Sequence, residues 1–535
     1  MAKATILLML IGLECWFVKA EIFSSMNDIE GMLYTEQGVS DSVMQYIQKQ
    51  QQKLEGLKRF ATDCQKHQDY LVHNPRAAAD ALSMYVLTKR LREFPLLLNL
   101  LKRNEAEAIL KNITNQRKYS GNVFPDELDF LGAAQALFRL QDTYKLSAKA
   151  IADSQIAGVA PGQKLTAHDC YELGRVAYMS RPPDYYHTVI WMQEALDRLK
   201  SEIHPTVKET DVLEHLSYAL YHQENVERAT LLARRIKKLD PKSTKVDENL
   251  EFYELELLAM RKDPKTVTEN TLPPLNLARP PPENPVPNFD MYEALCRGDV
   301  QLSEAHKAKL NCYYKRNRPF LKLAPLKAEL IHLRPKMIIF RQVITELESS
   351  IIKEIAGPLL ARALVETGDG KQETAKYRVS KSTWLQDRDD AVVRQVSKRV
   401  EEMADLTTAT AEELQIANYG LGGHYEPHFD FAEKDEVNAF PGMNTGNRIA
   451  TAMFYLSQPL AGGNTVFPDL KLAIAPSKHD AILWYNLYKN GEGDLMLRHA
   501  ACPVLAGNKW VANKWLHEYG QEFLRPCGLN ENEYE

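Results

Sequence analysis

The apolar positions along this chain change their period, and the change divides it. From residue 21 to about 150 they recur at helical spacing. Within that stretch Val43, Ile47, Leu54, Leu57, Ala61, Cys64 and Leu71 keep a 4-3 alternation, with Gln50 and Gln68 in the gaps. The run covers about four heptads, the lower limit for a coiled-coil seam. It predicts either such a seam, joining helices of two chains, or an amphipathic helix packed on its own domain. The glutamines would tune register in the first case and be interruptions in the second. From Lys336 onward the pattern turns to strands, with alternating or continuous apolar and β-branched runs at 448–457, 481–485 and 509–516. Gly462-Gly463, Pro476-Ser477 and Asn490-Gly491 supply the turns. Many short strands without intervening helices argue for a sandwich or a jelly-roll barrel.

Between these parts lies a helical repeat, at 165–262. Leu213, Leu216, Ala229, Ala233 and the closing Leu239-Asp240-Pro241 fit the tetratricopeptide register, and an upstream copy runs from Leu173-Gly174 through Trp191 to Leu199. Two helix pairs create a concave groove. The segment is rich in tyrosine, including Tyr178, Tyr185, Tyr218 and Tyr221. Any one of them is expected in the repeat core; as a set they suit a polyproline II peptide, whose rings stack and whose carbonyls accept hydrogen bonds. Pro273, Pro274, Pro280, Pro281, Pro282, Pro285 and Pro287 then forbid helix and mark a linker, taken to span 263–335.

Composition narrows the setting. With 535 residues and 44% hydrophobic content, the chain has material for about two to four domains. A formal net charge of −5 makes nucleic acid and anionic membrane poor partners. Residues 1–20 read as a secretory signal: Lys3, an apolar core from Ile6 to Leu13, and Val18-Lys19-Ala20 as the cleavage site. No later stretch has the run of apolar residues that membrane insertion of a helix requires. The remaining cysteines are even in number. Cys296 with Cys312, and Cys502 with Cys527, are the expected local pairs because each closes a short loop, while Cys64 and Cys170 are expected as buried thiols. Asn112-Ile113-Thr114 is a glycosylation sequon. The chain ends in no KDEL-type tail, so residence in the endoplasmic reticulum lumen would need a retained partner.

The chemistry concentrates near the C-terminus. His428-Phe429-Asp430 is an H-x-D triplet, expected to place both side chains on one strand face at a barrel mouth. His499 follows from a distant strand. Two imidazoles and a carboxylate on one face of a metal are the ligand set of non-haem Fe(II) oxygenases, with the other positions left for a cosubstrate and O2. A 2-oxoacid would supply the further electrons by losing CO2. Its distal carboxylate needs a cation, for which Lys509 is well placed.

The stretch from Tyr419-Gly420 through Gly422-Gly423 and Tyr425-Glu426-Pro427-His428-Phe429-Asp430 resembles the iron motif of collagen prolyl 4-hydroxylase α subunits. Gly446-Asn447-Arg448-Ile449-Ala450-Thr451, Gly462-Gly463 with Thr465-Val466-Phe467-Pro468, Trp484-Tyr485-Asn486-Leu487, Arg498-His499 through Pro503, Gly507-Asn508-Lys509-Trp510 and Lys514-Trp515-Leu516-His517-Glu518 are similar too. The likeness reaches upstream to the repeat and the N-terminal helices, so it covers nearly the whole mature chain. It implies a multidomain protein. An all-α N-terminal half would hold a dimerisation region (21–150) and a tetratricopeptide-like peptide-binding domain (165–262). A double-stranded β-helix (jelly-roll) catalytic domain would span 336–535.

The resemblance also implies roles. His428, Asp430 and His499 would bind iron; Lys509, flanked by the hydroxyls of Tyr419 and Thr465, would bind the 2-oxoglutarate 5-carboxylate; His517 would assist cosubstrate binding or decarboxylation. Tyr425, Arg448 and Trp515 would hold the peptide near the iron. Cys296–Cys312 and Cys502–Cys527 would be disulfides. His424, where the family usually has a less coordinating residue, is read as a non-ligand. The implied reaction is C4 hydroxylation of proline in X-Pro-Gly repeats of procollagen, with L-ascorbate rescuing oxidised iron. The implied assembly is a tetramer of two such chains with two protein disulfide isomerase subunits. The alternatives are the same chemistry on another proline-rich secreted protein, or a chaperone subunit that only holds procollagen; the intact His428, Asp430, His499 and Lys509 set argues against the latter as sole role.

Overall fold

The computed structural model describes residues 25–73, 94, 127–156, 164–281, 286–366, 372–434, 436, 440, 443–530 and 533. The signal segment, Asn112, Pro282 and Pro285 lie outside the described residues. Asn27–Asp126 form one compact unit, and Glu127–Glu535 belong to a second. In the first, the seam pattern lies on a single helix of 48 residues, Met26–His73. Its seam positions Val43, Ile47 and Leu54 are exposed, whereas Leu57 and Cys64 are half-buried.

In the second unit the tetratricopeptide register produces antiparallel helices Ala167–Met179, Tyr185–Leu199, Glu209–His222 and Val226–Leu239, followed by Thr244–Ala259. Side-chain caps begin several of them. Thr166 and Asp169 form a capping box, and Asp184 and Asn225 accept from the amides of His187 and Arg228. Leu173, Trp191, Leu213, Leu216, Ala229 and Ala233 make the core. Gly174 lets the first two helices approach closely: a Cβ there would stand 2.9 Å from Met192 Cε.

The helix Glu127–Tyr144, at the end of the N-terminal region, packs on the repeat: its Ala134 and Phe138 enter the repeat core, and Trp191 Nε1 donates to its Gln141 (3.1 Å). The linker is shorter than 263–335. Residues 272–281 are neither helix nor strand, as their prolines require, but Leu272 and Leu275 pack on the repeat core and Arg228 donates to Pro273 O (2.9 Å). Strands Cys312–Lys315 and Leu326–Leu333 then pair in register up to Lys336–Arg341, so the β domain begins near residue 312 rather than 336.

That domain holds an antiparallel nine-stranded sheet and a five-stranded one. The larger runs, in spatial order, through Cys312–Lys315, Leu326–Leu333, Lys336–Arg341, Ala481–Tyr485, Arg448–Tyr455, Lys509–His517, Leu414–Tyr419, Lys381–Leu385 and Ala361–Arg362. The smaller runs through Leu472–Ile474, Thr465–Phe467, His499–Ala501, His424–His428 and Arg378–Val379. Strand alternation splits each large-sheet strand between two cores. Phe340, Ile416, Ala450, Phe454, Leu483 and Ala512 face one, against helices Glu346–Ala356 and Ala391–Ala404. Ile339, Ala417, Met453, Ile482 and Val511 face the other, together with Phe467, Leu472 and Ile474 of the small sheet. The site residues Tyr419, Thr451, Tyr455, Trp484 and Lys509 share this second parity, so the alternation turns them between the sheets.

The two covering helices correct the expectation of strands without helices. Their sequence signals are a capping box at Thr345/Glu348 and the helical spacing of Val393, Val396, Val400 and Met403.

The disulfide pairing is corrected as well. The structure joins Cys296 to Cys502 and leaves Cys312 and Cys527 free and exposed. Helix Phe289–Arg297 packs Tyr292, Leu295 and Cys296 against Val466, Ala500 and Cys502, and that tertiary contact is invisible to an argument from short loops. Cys170 is fully buried, as expected, and burial pushes its thiol up to about 12; Cys64 is half-buried.

Phe340 is fully buried in the helix-covered core. Phe340→Ala is expected to cost about 3–5 kcal/mol, read as an earlier denaturant midpoint of the β domain; a midpoint unchanged from wild type would contradict this packing.

Candidate active site

His428 ends the strand His424–His428 and pairs directly with His499, the first residue of the neighbouring strand His499–Ala501. Antiparallel register thus brings the two imidazoles together, with ring centroids 4.4 Å apart. Asp430 lies past the strand end, in a bend, so the H-x-D does not place both side chains on one strand as its spacing suggested. What holds Asp430 is the large sheet. Thr451 Oγ1 donates to its Oδ2 (2.7 Å), and Asn486 Nδ2 donates to Thr451 Oγ1 (3.0 Å). The remaining oxygen, Oδ1, lies 3.8 Å from His428 Nε2 and 3.7 Å from His499 Nε2. His428, Asp430 and His499 are the group of donor atoms among the described residues that could hold a metal, all within 4.8 Å of one another.

Both imidazoles are set for ligation. His428 Nδ1 is 2.8 Å from Glu426 O and His499 Nδ1 is 3.1 Å from Leu497 O. A ring nitrogen facing a carbonyl must carry the proton, which leaves Nε2 with a lone pair. Burial, assisted by the neighbouring His499, pushes His428 down to about 3. Burial alone would raise the Asp430 carboxyl, but His499, His428 and Arg448 outweigh it and hold it below the usual range. Two imidazole Nε2 atoms facing an ionised carboxylate are the donor set a divalent cation takes. His424 is 2% exposed, and its Nε2 is 3.7 Å from Glu426 rather than among the donors, in keeping with its reading as a non-ligand.

Lys509 is 1% exposed. It pairs across strands with Tyr419, and its Nζ is 5.5 Å from that ring's centroid and 5.9 Å from that of Tyr455. Its hydrogen-bond acceptor is Thr465 Oγ1, at 3.4 Å. Among the described residues no carboxylate answers it, and burial pushes the ammonium down to about 7. The structure therefore brings Tyr419, Thr465 and Lys509 together as an anion pocket. Gly463, at φ +72°, leaves room beside it, its Cβ position being 3.5 Å from Lys509 Cδ. Tyr455, which the sequence did not single out, donates its hydroxyl to Thr465 Oγ1 (2.9 Å).

His517 is not part of that pocket. It stands at the far end of the Lys509–His517 strand, about 26 Å away at the rise of a strand residue. It is fully buried, with Nε2 3.0 Å from Glu412 Oε1 and Nδ1 2.8 Å from Gly446 O. It is joined instead, through Glu412 and Arg448, to the contacts that surround Asp430. Glu412, also absent from the sequence reading, accepts from Arg448 (3.0 Å), which in turn donates to Asp430 O (3.2 Å) and lies over Trp515 (4.1 Å). Tyr425 stacks on His428 at 3.5 Å. Arg448, Tyr425 and Trp515 therefore flank the metal donors.

In the repeat domain, Tyr178 and Tyr185 both meet Tyr218 edge-on (5.7 and 6.4 Å). Two histidines that the sequence reading passed over are interleaved: His215 against Tyr178 (5.0 Å) and His222 stacked on Tyr185 (4.4 Å). Tyr221 packs on Phe252 and Tyr253, and Tyr253 is core, 1% exposed.

Comparison with known proteins agrees with this arrangement. Residues 25–158 match the N-terminal region of the prolyl 4-hydroxylase α subunit, 167–260 the prolyl 4-hydroxylase peptide-substrate-binding domain, and 414–517 the 2OG-Fe(II) oxygenase superfamily. The chain is 46% identical to prolyl 4-hydroxylase subunit alpha-2 of Caenorhabditis elegans, over 98% of this chain and 96% of that one. It is 41% identical to subunit alpha-1 of Rattus norvegicus and to subunit alpha-1 of Homo sapiens, over 96% of each chain. The donor triad fits Fe(II), the unanswered lysine fits 2-oxoglutarate, and the chain belongs to the prolyl 4-hydroxylase α-subunit family of 2-oxoglutarate- and Fe(II)-dependent oxygenases.

Proposed function

We propose that this chain hydroxylates C4 of proline in X-Pro-Gly repeats of procollagen. The observation that carries the reading is the triad His428, Asp430 and His499 together with, between the same two sheets, a buried cation that has no carboxylate partner among the described residues. With Fe(II) and 2-oxoglutarate bound, one oxygen atom of O2 enters the proline C–H bond and the other enters succinate as CO2 leaves. The residues of the chain orient and shield. His428 and His499 present Nε2 because their Nδ1 protons are held by carbonyls, and Thr451 occupies Asp430 Oδ2 so that Oδ1 faces inward. Lys509 and Thr465 anchor the far carboxylate. Arg448, locked by Glu412, lies over the Trp515 ring beside Asp430. The ladder of Tyr178, Tyr218 and Tyr185 would hold a polyproline II segment.

The wider setting belongs to the same proposal. The secretory signal, the Asn112 sequon and the Cys296–Cys502 disulfide support an endoplasmic reticulum lumen enzyme. Protein disulfide isomerase would be the retained β subunit of an α2β2 tetramer, and the exposed seam of Val43, Ile47 and Leu54 suits self-association of two α chains. L-ascorbate would return oxidised iron to Fe(II).

The test is turnover of a Pro-Pro-Gly repeat peptide. Succinate release matched by 4-hydroxyproline is expected; tight peptide binding with no product would favour the chaperone reading. His499→Ala should abolish product while calorimetric affinity for the peptide stays unchanged. Thr451→Val should weaken metal binding by about 10–100-fold in a competition titration, because Asp430 loses the partner that orients it; unaltered affinity would remove Thr451 from the site. Lys509 gives a pH signature. Its ammonium is largely neutral above about 7 in the empty pocket, and a bound carboxylate favours the charged form. Binding of 2-oxoglutarate at pH 8 should therefore take up close to one proton, and at pH 6 almost none. Calorimetry in buffers of different ionisation enthalpy reads this directly, and equal uptake at both pH values would contradict it.

A further inference from the structure

We propose that Tyr455 is a positioning residue for the cosubstrate: it fixes the direction of the Thr465 hydroxyl so that this group can only donate to the anion beside Lys509. The proposal rests on the reading of that pocket as the 2-oxoglutarate site. Tyr455 comes from the large sheet and Thr465 from the small one, and both are nearly inaccessible at 1% and 2% exposure. The phenol donates to Thr465 Oγ1 at 2.9 Å. Lys509 Nζ, which in the charged form that an anion favours can only donate, approaches the same oxygen at 3.4 Å.

A threonine hydroxyl has two lone pairs and one hydrogen. Tyr455 engages one lone pair and Lys509 approaches the other. The Thr465 hydrogen cannot point at either of them, because both already present a hydrogen. It must leave in the remaining tetrahedral direction, as a donor. Without Tyr455 the hydroxyl could rotate, and its preference for an anion would be diluted by other orientations. Burial raises the Tyr455 pKa, and the neutral phenol therefore persists as a donor across the physiological range. Holding the dipole in place beforehand is what makes a buried donor effective, since no reorganisation is needed when the charge arrives.

The experiment uses the full-length chain loaded with Mn(II), so that binding is read without turnover. Calorimetric titration with 2-oxoglutarate should show Tyr455→Phe weaker by about tenfold, the scale of one hydrogen bond to a charged group. Oxalate, which lacks the distal carboxylate, should bind wild type and variant alike. Thr465→Val should lose at least as much affinity for 2-oxoglutarate as Tyr455→Phe. Adding Tyr455→Phe to Thr465→Val should cost nothing more, because the phenol acts through Thr465; Thr465→Ser should stay near wild type. Three results would each overturn the proposal: an unchanged 2-oxoglutarate affinity in Tyr455→Phe, an equal loss for oxalate, or a full second loss in the double variant. A wild-type chain that binds oxalate but not 2-oxoglutarate would instead bring down the reading of the pocket itself.

Discussion

A lysine ammonium buried at 1% exposure, with no carboxylate partner among the described residues, is the constraint around which the β domain is arranged. Moving such a charge out of water costs several kcal/mol when nothing compensates it. The fold meets that cost only in part, with a threonine oxygen and the faces of two tyrosines. The remainder is left for a ligand. A pocket built this way selects an anion that can reach it, because only a carboxylate restores what burial removed. It also makes the protonation of the site depend on occupancy, since burial lowers the empty-pocket ammonium to about 7 and a bound anion favours the cation.

The metal donors obey a similar rule with the opposite sign. Here every polar atom not needed for ligation is already engaged by the chain. The two Nδ1 atoms face backbone carbonyls, and Asp430 Oδ2 takes a hydroxyl whose own oxygen is held by an amide. The atoms left over, two Nε2 and one Oδ1, converge. Second-layer contacts thus decide which atom of each residue is offered, and the antiparallel pairing of His428 with His499 decides where. The network of His517, Glu412 and Arg448 extends this inward control to the backbone of Asp430.

What could be read from the sequence follows from what is local. Lys509 was legible as the cation that a 2-oxoacid needs, and Tyr419 and Thr465 from short motifs matching the family. The helical period located the repeat, its groove and its tyrosines. Contacts between elements distant in the chain were beyond such reasoning. Cys296 meets Cys502 because a short helix packs on the small sheet, and Glu127–Tyr144 joins the repeat core through Phe138 and Gln141. His517 stands at the opposite end of its strand from Lys509, and only the tertiary contacts through Glu412 and Arg448 join it to Asp430. The helices Glu346–Ala356 and Ala391–Ala404 were legible in principle, from a capping box and a valine stripe, and were masked by the strand-rich pattern on either side.

The peptide groove and the oxygenase site ask different things of their aromatic residues, and the difference explains why the groove is less sharply marked. In the catalytic cavity each ring or hydroxyl serves one directed contact: Tyr425 against His428, Trp515 under Arg448, Tyr455 toward Thr465. One misplaced atom there removes a ligand or a donor. In the repeat domain Tyr178, Tyr185 and Tyr218 contact one another and two histidines edge-on or face-on, and Tyr218 stays exposed. A ladder of this kind gives a surface rather than a point. On the proposed reading, such a surface would suit a repetitive ligand whose successive prolines are chemically alike, while the chemistry downstream would take a single C–H bond at a time. Loose holding on one domain and strict geometry on the other is a division of labour that a repeating substrate makes workable, since any register presented by the groove contains a residue the catalytic site can use.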